Sequence, residues 1–207
     1  MEMSLITLTP VWTGGMEVGK MDRIKETGII GSLRWWYETI VRGLGGQVCS
    51  AADERREGAC LCDVCRVFGT TGWKRRFRLE VVEKQLKPAS FPNKVSAQRS
   101  YEVNGKKKTP AWWLWSNGAL DMQKPKEGSF SLKIESLFPD FDPRIIAGLI
   151  QFLADHAAIG ARAQLGFGLV KTDGDRPNLQ PLYECLGTVK GDSQYPELPS
   201  LKNIFLA

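Results

Sequence analysis

The chain has 207 residues, 43% hydrophobic and 25% charged, with a formal net charge of +5. That length and apolar content suffice for one well-cored domain and exclude a disordered chain. No run approaches the ~20 apolar residues that a membrane span requires, and Met1-Glu2-Met3-Ser4 lacks the charged-then-apolar pattern of a secretory signal, so a cytoplasmic protein without a membrane partner is expected.

Ser4 to Pro10 alternates as a short strand, ended by Pro10 and the pair Gly14-Gly15. A loop carrying Lys20, Asp22, Arg23 and Lys25 leads to Gly28 and Gly31. Ile30, Leu33, Tyr37, Ile40, Val41 and Leu44 then recur at the three-to-four spacing of a helix with one buried face, and Gly45-Gly46 stops it. Arg34, Glu38 and Arg42 lie four residues apart on the other side. Trp35 falls off the apolar stripe, whereas Trp36 and Tyr37 are expected in the core.

Four of the five cysteines lie between Cys49 and Cys65, as Cys49, Cys60, Cys62 and Cys65 in the spacing C-x10-C-x-C-x2-C. A tetrahedral zinc site needs four converging ligands, and a C-x2-C turn presents two of them. Cys62 and Cys65 would form that turn, Cys49 the return contact, and Cys60 or His156 the fourth ligand. A closed set of four leaves no open position for water, so such a zinc is structural. The alternative is a set of free thiols; a disulfide suits a reducing cytosol least. Cys185, far along the chain, reads as a free thiol.

Lys74, Arg75 and Arg76 crowd the entrance of the next strand, Arg75 to Glu83, which places Phe77, Leu79 and Val81 on one face. From Leu86 to Lys126 there are eight Lys or Arg against two acids, Glu102 and Asp121. With Pro88, Pro92 and an Asn104-Gly105 turn crowned by Lys106-Lys107-Lys108, this stretch reads as a basic hairpin arm. Ala111 to Trp115 and Phe130 to Leu137 read as further strands. Trp112, Trp113 and Trp115 cannot all face one way in such a strand, which turns at least one tryptophan toward a partner or another part of the chain.

Asp142-Pro143 is a cap followed by proline, opening a second helix with a stripe of Ile146, Leu149, Ile150, Leu153 and Ala157 that ends near Gly160. Leu165 to Lys171 would be the closing strand. Pro177, Pro181, Pro196 and Pro199 make the tail an irregular wrap. The order strand, helix, strands, helix, strand predicts an α+β chain with a ferredoxin-like (RRM-like) antiparallel sheet, two helices on one face, a Cys-rich zinc-binding insertion and a basic hairpin arm. The expected organisation is a domain over 1–172, with the insertion at 48–72 and the arm at 86–126, and a wrap over 173–207.

Two glycine-punctuated segments, GIIGSLRWWYETIVRGLGG from Gly28 and IGARAQLGFGLV from Ile159, join helices to turns whose bare amides favour anions. Either could also be a plain chain reversal. With basic and aromatic neighbours, the pair points to a phosphate chain, and exposed rings such as Trp35 could stack bases. His156, the only histidine, stands at the border of the buried stripe, where a packed role, metal ligation and catalysis are all open to it. Asp22, beside Arg23, is the better placed candidate for a nuclease acid.

The segments Trp12-Thr13-Gly14-Gly15, Arg23 to Glu38, C62-x2-C-x-V-F-G-x-T-G-W-K-R-R-F and G160-A-R-A-Q-L-G-F-G together resemble the RAMP superfamily of CRISPR effector subunits, in the form found in the first subunit of type III-B Cmr complexes. The likeness covers roughly Leu5 to Val170. It implies ferredoxin-like units and a non-catalytic, RNA-binding place in an antiviral ribonucleoprotein. The implied partners are CRISPR RNA, contacted toward its 3′ end, other type III effector subunits and target RNA. By motif, Arg162, Gln164, Gly166, Phe167 and Gly168 form the family's glycine-rich loop beside RNA, and Lys20, Arg23, Lys25, Arg34, Trp35, Arg42, Lys74, Arg75 and Arg76 are the accompanying contacts. Members commonly carry a second such unit; here one is expected, the other lying on another polypeptide or being absent from a reduced relative. The competing readings are a RAMP endoribonuclease that cuts guide precursor or target RNA, and a zinc-stabilised protein-interaction module.

Overall fold

A computed structural model describes residues 1–17, 19–49, 62–89, 101–108, 124–189 and 199–202. The strand expected at Ala111 to Trp115, Cys60 and most of the basic arm lie outside them.

The order is β1 (Glu2–Thr7), α1 (Glu26–Gly43), α2 (Asp63–Phe68), β2 (Phe77–Pro88), β3 (Tyr101–Val103), β4 (Lys106–Lys108), β5 (Lys126–Ser136), α3 (Arg144–His156), a 3-10 turn (Ala163–Leu165), β6 (Val170–Asp173) and α4 (Gln180–Gly187). Four strands form one antiparallel sheet in the order β2-β5-β1-β6, the ferredoxin-like arrangement. β3 and β4 form a separate hairpin about Asn104 and Gly105, both at positive φ (53° and 71°), as a two-residue turn of opposite hand requires.

The register fixes which side of the sheet is buried. Leu5 pairs with Phe130, Met3 with Leu132, Leu79 with Ile134 and Thr7 with Val170, and the apolar members of these pairs are buried. Against this face lie Ile29, Leu33, Trp36, Tyr37 and Ile40 of α1 and Ile146, Leu149, Ile150 and Leu153 of α3. The α3 stripe is the one that the sequence spacing predicts; on α1, Leu33, Tyr37, Ile40 and Val41 are buried as expected, but Ile29 takes the place of the partly buried Ile30, and Leu44 is exposed. Trp36 is buried with its indole nitrogen donating to the Ala158 carbonyl at 3.0 Å, which satisfies its single donor.

The opposite face carries Ser4, Ser131, Glu80 and Lys133, and Lys84 reaches across it to the Ser4 hydroxyl at 2.9 Å. Its described strand positions hold no aromatic side chain. On the outer edge of β2, the Val81 amide donates to Glu26 of α1, and Glu83 accepts from the Ile24 amide at 2.9 Å.

Several boundaries differ from the sequence reading: β1 is Glu2–Thr7 rather than Ser4 to Pro10, β2 runs on to Pro88 and β5 starts at Lys126, which takes in both ends of the stretch read as a basic arm. Pro143 already has helical φ and ψ, and the Asp142 carboxylate accepts from the Arg144 amide at 2.9 Å, the contact expected of a cap before that proline. Ala163–Leu165 turns rather than extends, and the closing strand starts at Val170, because Gly166 and Gly168 both hold positive φ. Within the proline-bearing tail, Gln180–Gly187 is helical, burying Leu182 and Leu186 against the core. Residues 199–202 lie along the end of α1, where the Leu201 amide donates to the Thr39 carbonyl and Arg42 to the Pro199 carbonyl. Among the described residues, no helix is long and apolar enough to cross a membrane.

Candidate nucleic-acid interface and thiol cluster

The two glycine segments meet through a third stretch, Val11 to Gly15. The Trp12 carbonyl accepts from the Ala161 amide at 2.7 Å, and a β-carbon on Gly160 would stand 2.6 Å from that same oxygen. One residue on, the Thr13 hydroxyl accepts from the Lys25 amide at 2.9 Å, and a β-carbon on Gly28 would stand 2.6 Å from Thr13 Cβ. Trp12 thus packs on the glycine-rich loop and Thr13 on the first turn of α1.

Within the loop, Gly168 donates to the Pro10 carbonyl while its own carbonyl accepts from Ile159. Gly166, at φ 82°, has nothing within 4 Å of an added β-carbon. Arg162 adopts the left-handed conformation (φ 65°), and its guanidinium carbon lies over the Trp12 ring, 4.1 Å from the centroid. Trp12 and Phe167 are buried, whereas Gln164 is exposed and Arg162 partly so. Burial lowers the Arg162 pKa.

The other expected contacts divide. Lys20 pairs with Glu17, Arg23 with Glu26 at 3.1 Å and Lys25 with Asp22 at 2.9 Å, and the main chain of Arg23 and Lys25 is bonded to the Thr13 hydroxyl. Surface pairs of this kind contribute little and exchange readily for a phosphate. Trp35 is 42% exposed, edge-on to Trp36. Lys74 is exposed. Arg76 pairs with Asp140 and lies over Phe138, and Arg75 donates to the Phe77 carbonyl at 2.6 Å. Arg42 is buried between Glu38 and the Pro199 carbonyl. Arg34 donates to Glu38 at 2.9 Å, to the Gly69 carbonyl at 2.7 Å and to Cys65 Sγ at 3.6 Å. Its three contacts set it beside the cysteines.

The thiols of Cys49, Cys62 and Cys65 lie within 4.8 Å of one another, and His156 is not among them. Cys62 caps α2, its sulfur accepting from the Cys65 amide at 3.4 Å. Burial and the neighbouring Cys62 push the Cys49 thiol up to about 12, and the same two causes raise Cys65. At Cys62 burial also raises the pKa, but amide hydrogen bonds from Cys49 and Cys65 hold it below its ordinary value. Sulfurs bonded to one tetrahedral zinc at about 2.3 Å stand roughly 3.8 Å apart, so this set fits that metal with slight contraction. A zinc held there would cross-link the start of α2 to the segment after α1.

Of the two acid-base candidates, Asp22 is exposed, its carboxyl held below the usual range by the hydrogen bond from Lys25. His156 is exposed at the end of α3, with its ring 4.9 Å from Phe152.

Sequence reasoning gave Trp12 and Thr13 no role at the site, although Trp12-Thr13-Gly14-Gly15 already stood out as a motif. The signal was a tryptophan followed by glycines directly after a strand, which marks a close-packed turn.

The chain matches the model of the RAMP superfamily over residues 4–171. It is similar to Cmr1 of Pyrococcus furiosus in its apo form, at 16% identity and a TM-score of 0.48, covering 92% of this chain and 61% of that one. It is also similar to a chain of the type III-B Cmr-beta complex bound to cognate target RNA and AMPPnP in the presence of single-stranded DNA, at 14% identity and a TM-score of 0.47, covering 100% and 66%. A third likeness is to the Cmr-beta complex bound to cognate target RNA, at 14% identity and a TM-score of 0.46, covering 100% and 65%. The chain therefore spans 61–66% of the length of these chains. No curated protein matches it.

Proposed function

This chain belongs to the RAMP superfamily, and we propose that it serves there as a non-catalytic RNA-binding subunit of a type III CRISPR ribonucleoprotein, contacting guide RNA toward its 3′ end. The observation that carries this reading is the junction at Trp12 and Thr13, which joins the glycine-rich loop bearing Arg162 to the α1 entrance bearing Arg23 and Lys25. Backbone turns beside cations form a surface that a ribose-phosphate strand can follow. The open sheet face has mixed charge and no described aromatic, so in this reading the strand runs along the loops at the sheet's end. Other type III subunits and target RNA are the further partners.

A subunit without catalysis fits the acid-base groups. A general acid or base works best with a pKa near the operating pH. Asp22 is shifted the other way by Lys25, and the ring of the exposed His156 lies against Phe152. Zinc, in this reading, is structural, held by Cys49, Cys62 and Cys65 with a fourth ligand.

Salt titration of single-stranded RNA binding tests the proposal. The logarithm of affinity should fall with the logarithm of salt at about −0.7 per neutralised phosphate, and R23A combined with R162G should flatten that slope by one to two such increments. An unchanged slope would leave the positive charge incidental and favour a protein-interaction module.

A further inference from the structure

We propose that Arg162 acts as the stacking plane for one nucleobase, its guanidinium sandwiched between Trp12 and the base; this rests on the RNA-binding reading above. A cation that serves only as a phosphate counter-charge needs reach, not orientation, and a lysine on a flexible stem suffices. Arg162 is instead oriented from two sides. Its guanidinium carbon is 4.1 Å from the Trp12 ring centroid. Its backbone is fixed in the left-handed region at φ 65°, between the Ala161 amide bonded to Trp12 and the Leu165 amide bonded to the Arg162 carbonyl at 2.9 Å. β-Carbon-bearing residues avoid that conformation, and the packing on both sides retains it here.

Trp12 is buried beneath Arg162, which itself remains partly exposed. Guanidinium planes stack on bases as aromatic rings do, and a cation already seated on an indole face keeps its geometry when a base arrives. Four residues on, Gly166 leaves open space within 4 Å of its missing side chain, room for a sugar-phosphate beside the base. The sheet face used for stacking in RRM-like folds carries no described aromatic here, which leaves base stacking to the loops.

Two single-stranded 12-mer RNAs, one of adenosines and one of abasic riboses, separate a stacked base from a phosphate contact when titrated by fluorescence anisotropy at several salt concentrations. R162K keeps the charge and loses the plane. It should weaken binding of the adenosine strand about tenfold, leave the abasic strand within twofold, and leave the salt slope unchanged. R162G, which accepts the same backbone conformation, should weaken both strands and flatten the slope. If R162K binds the adenosine strand as the unaltered protein does, or loses affinity equally for both strands, the stacking proposal is overturned while RNA binding stands. If the unaltered protein binds neither strand, both readings fall together.

Discussion

Gly166 and Gly168 share nearly the same φ, 82° and 84°, in opposite surroundings. An alanine β-carbon at 166 would meet nothing within 4 Å, whereas at 168 it would stand 2.0 Å from the Ile159 carbonyl oxygen, which is backbone and cannot swing aside. G166A should therefore cost only the left-handed penalty of about 1 kcal/mol. G168A should cost about 2–3 kcal/mol, because the loop must also open. Urea unfolding of the two variants checks this, and equal midpoints would mean that the close approach is absent. The sequence displayed both glycines but not their difference, since the partner carbonyl arrives from another turn. Arg34 and Arg42 were misleading for a related reason. Spacing alone puts them on the solvent side of α1, yet that side is covered by Cys65 and Gly69 at one end and by Pro199 at the other.

α2 is six residues long, far below the ~12–15 at which an isolated helix holds in water. Val64, Val67 and Phe68 bury its inner side, Phe68 lying 5.4 Å from Phe77 and 5.5 Å from Tyr37, while the thiols tie its first turn to Cys49. Metal should thus stiffen this element without deciding the fold. C62S separates the two roles of that residue, because serine still caps a helix and does not replace a thiolate ligand. Elemental analysis should find about one zinc per chain in the unaltered protein and its loss in C62S. Amide exchange should then quicken over residues 62–69 and stay slow in β2 and β5; a stably folded, metal-free unaltered protein would remove the zinc. Elements with strong periodicity, α1, α3, β2 and β5, were legible from sequence. α4 was not, since two buried residues, Leu182 and Leu186, are too few to set a period among prolines.

At the scale of the molecule, the meeting of the two glycine segments follows from strand order. β1 is central and antiparallel to β6, with Thr7 paired to Val170, so the chain leaving β1 and the chain entering β6 must emerge at the same end of the sheet. The sequence carried the elements of this arrangement, and the βαββαβ order suffices to derive it. What spacing could not supply is how tightly Thr13 fills the gap to α1. Gly28 measures that tightness. In an isolated helix, Gly→Ala is favourable by about 1 kcal/mol. Here the new β-carbon would stand 2.9 Å from the Thr13 carbonyl oxygen and 3.1 Å from its Cα, both main-chain atoms, besides 2.6 Å from its Cβ. Overpacking of that kind costs about 1–3 kcal/mol and exceeds the propensity gain over most of that range. G28A should accordingly lower the melting temperature by a few degrees. Because Thr13 is bonded to Lys25 and adjoins Trp12 under Arg162, it should also weaken RNA binding several-fold while every cation stays in place and the salt slope holds. A G28A protein that melts higher and binds RNA unchanged would show that α1 and the glycine-rich loop are not mechanically joined through Thr13.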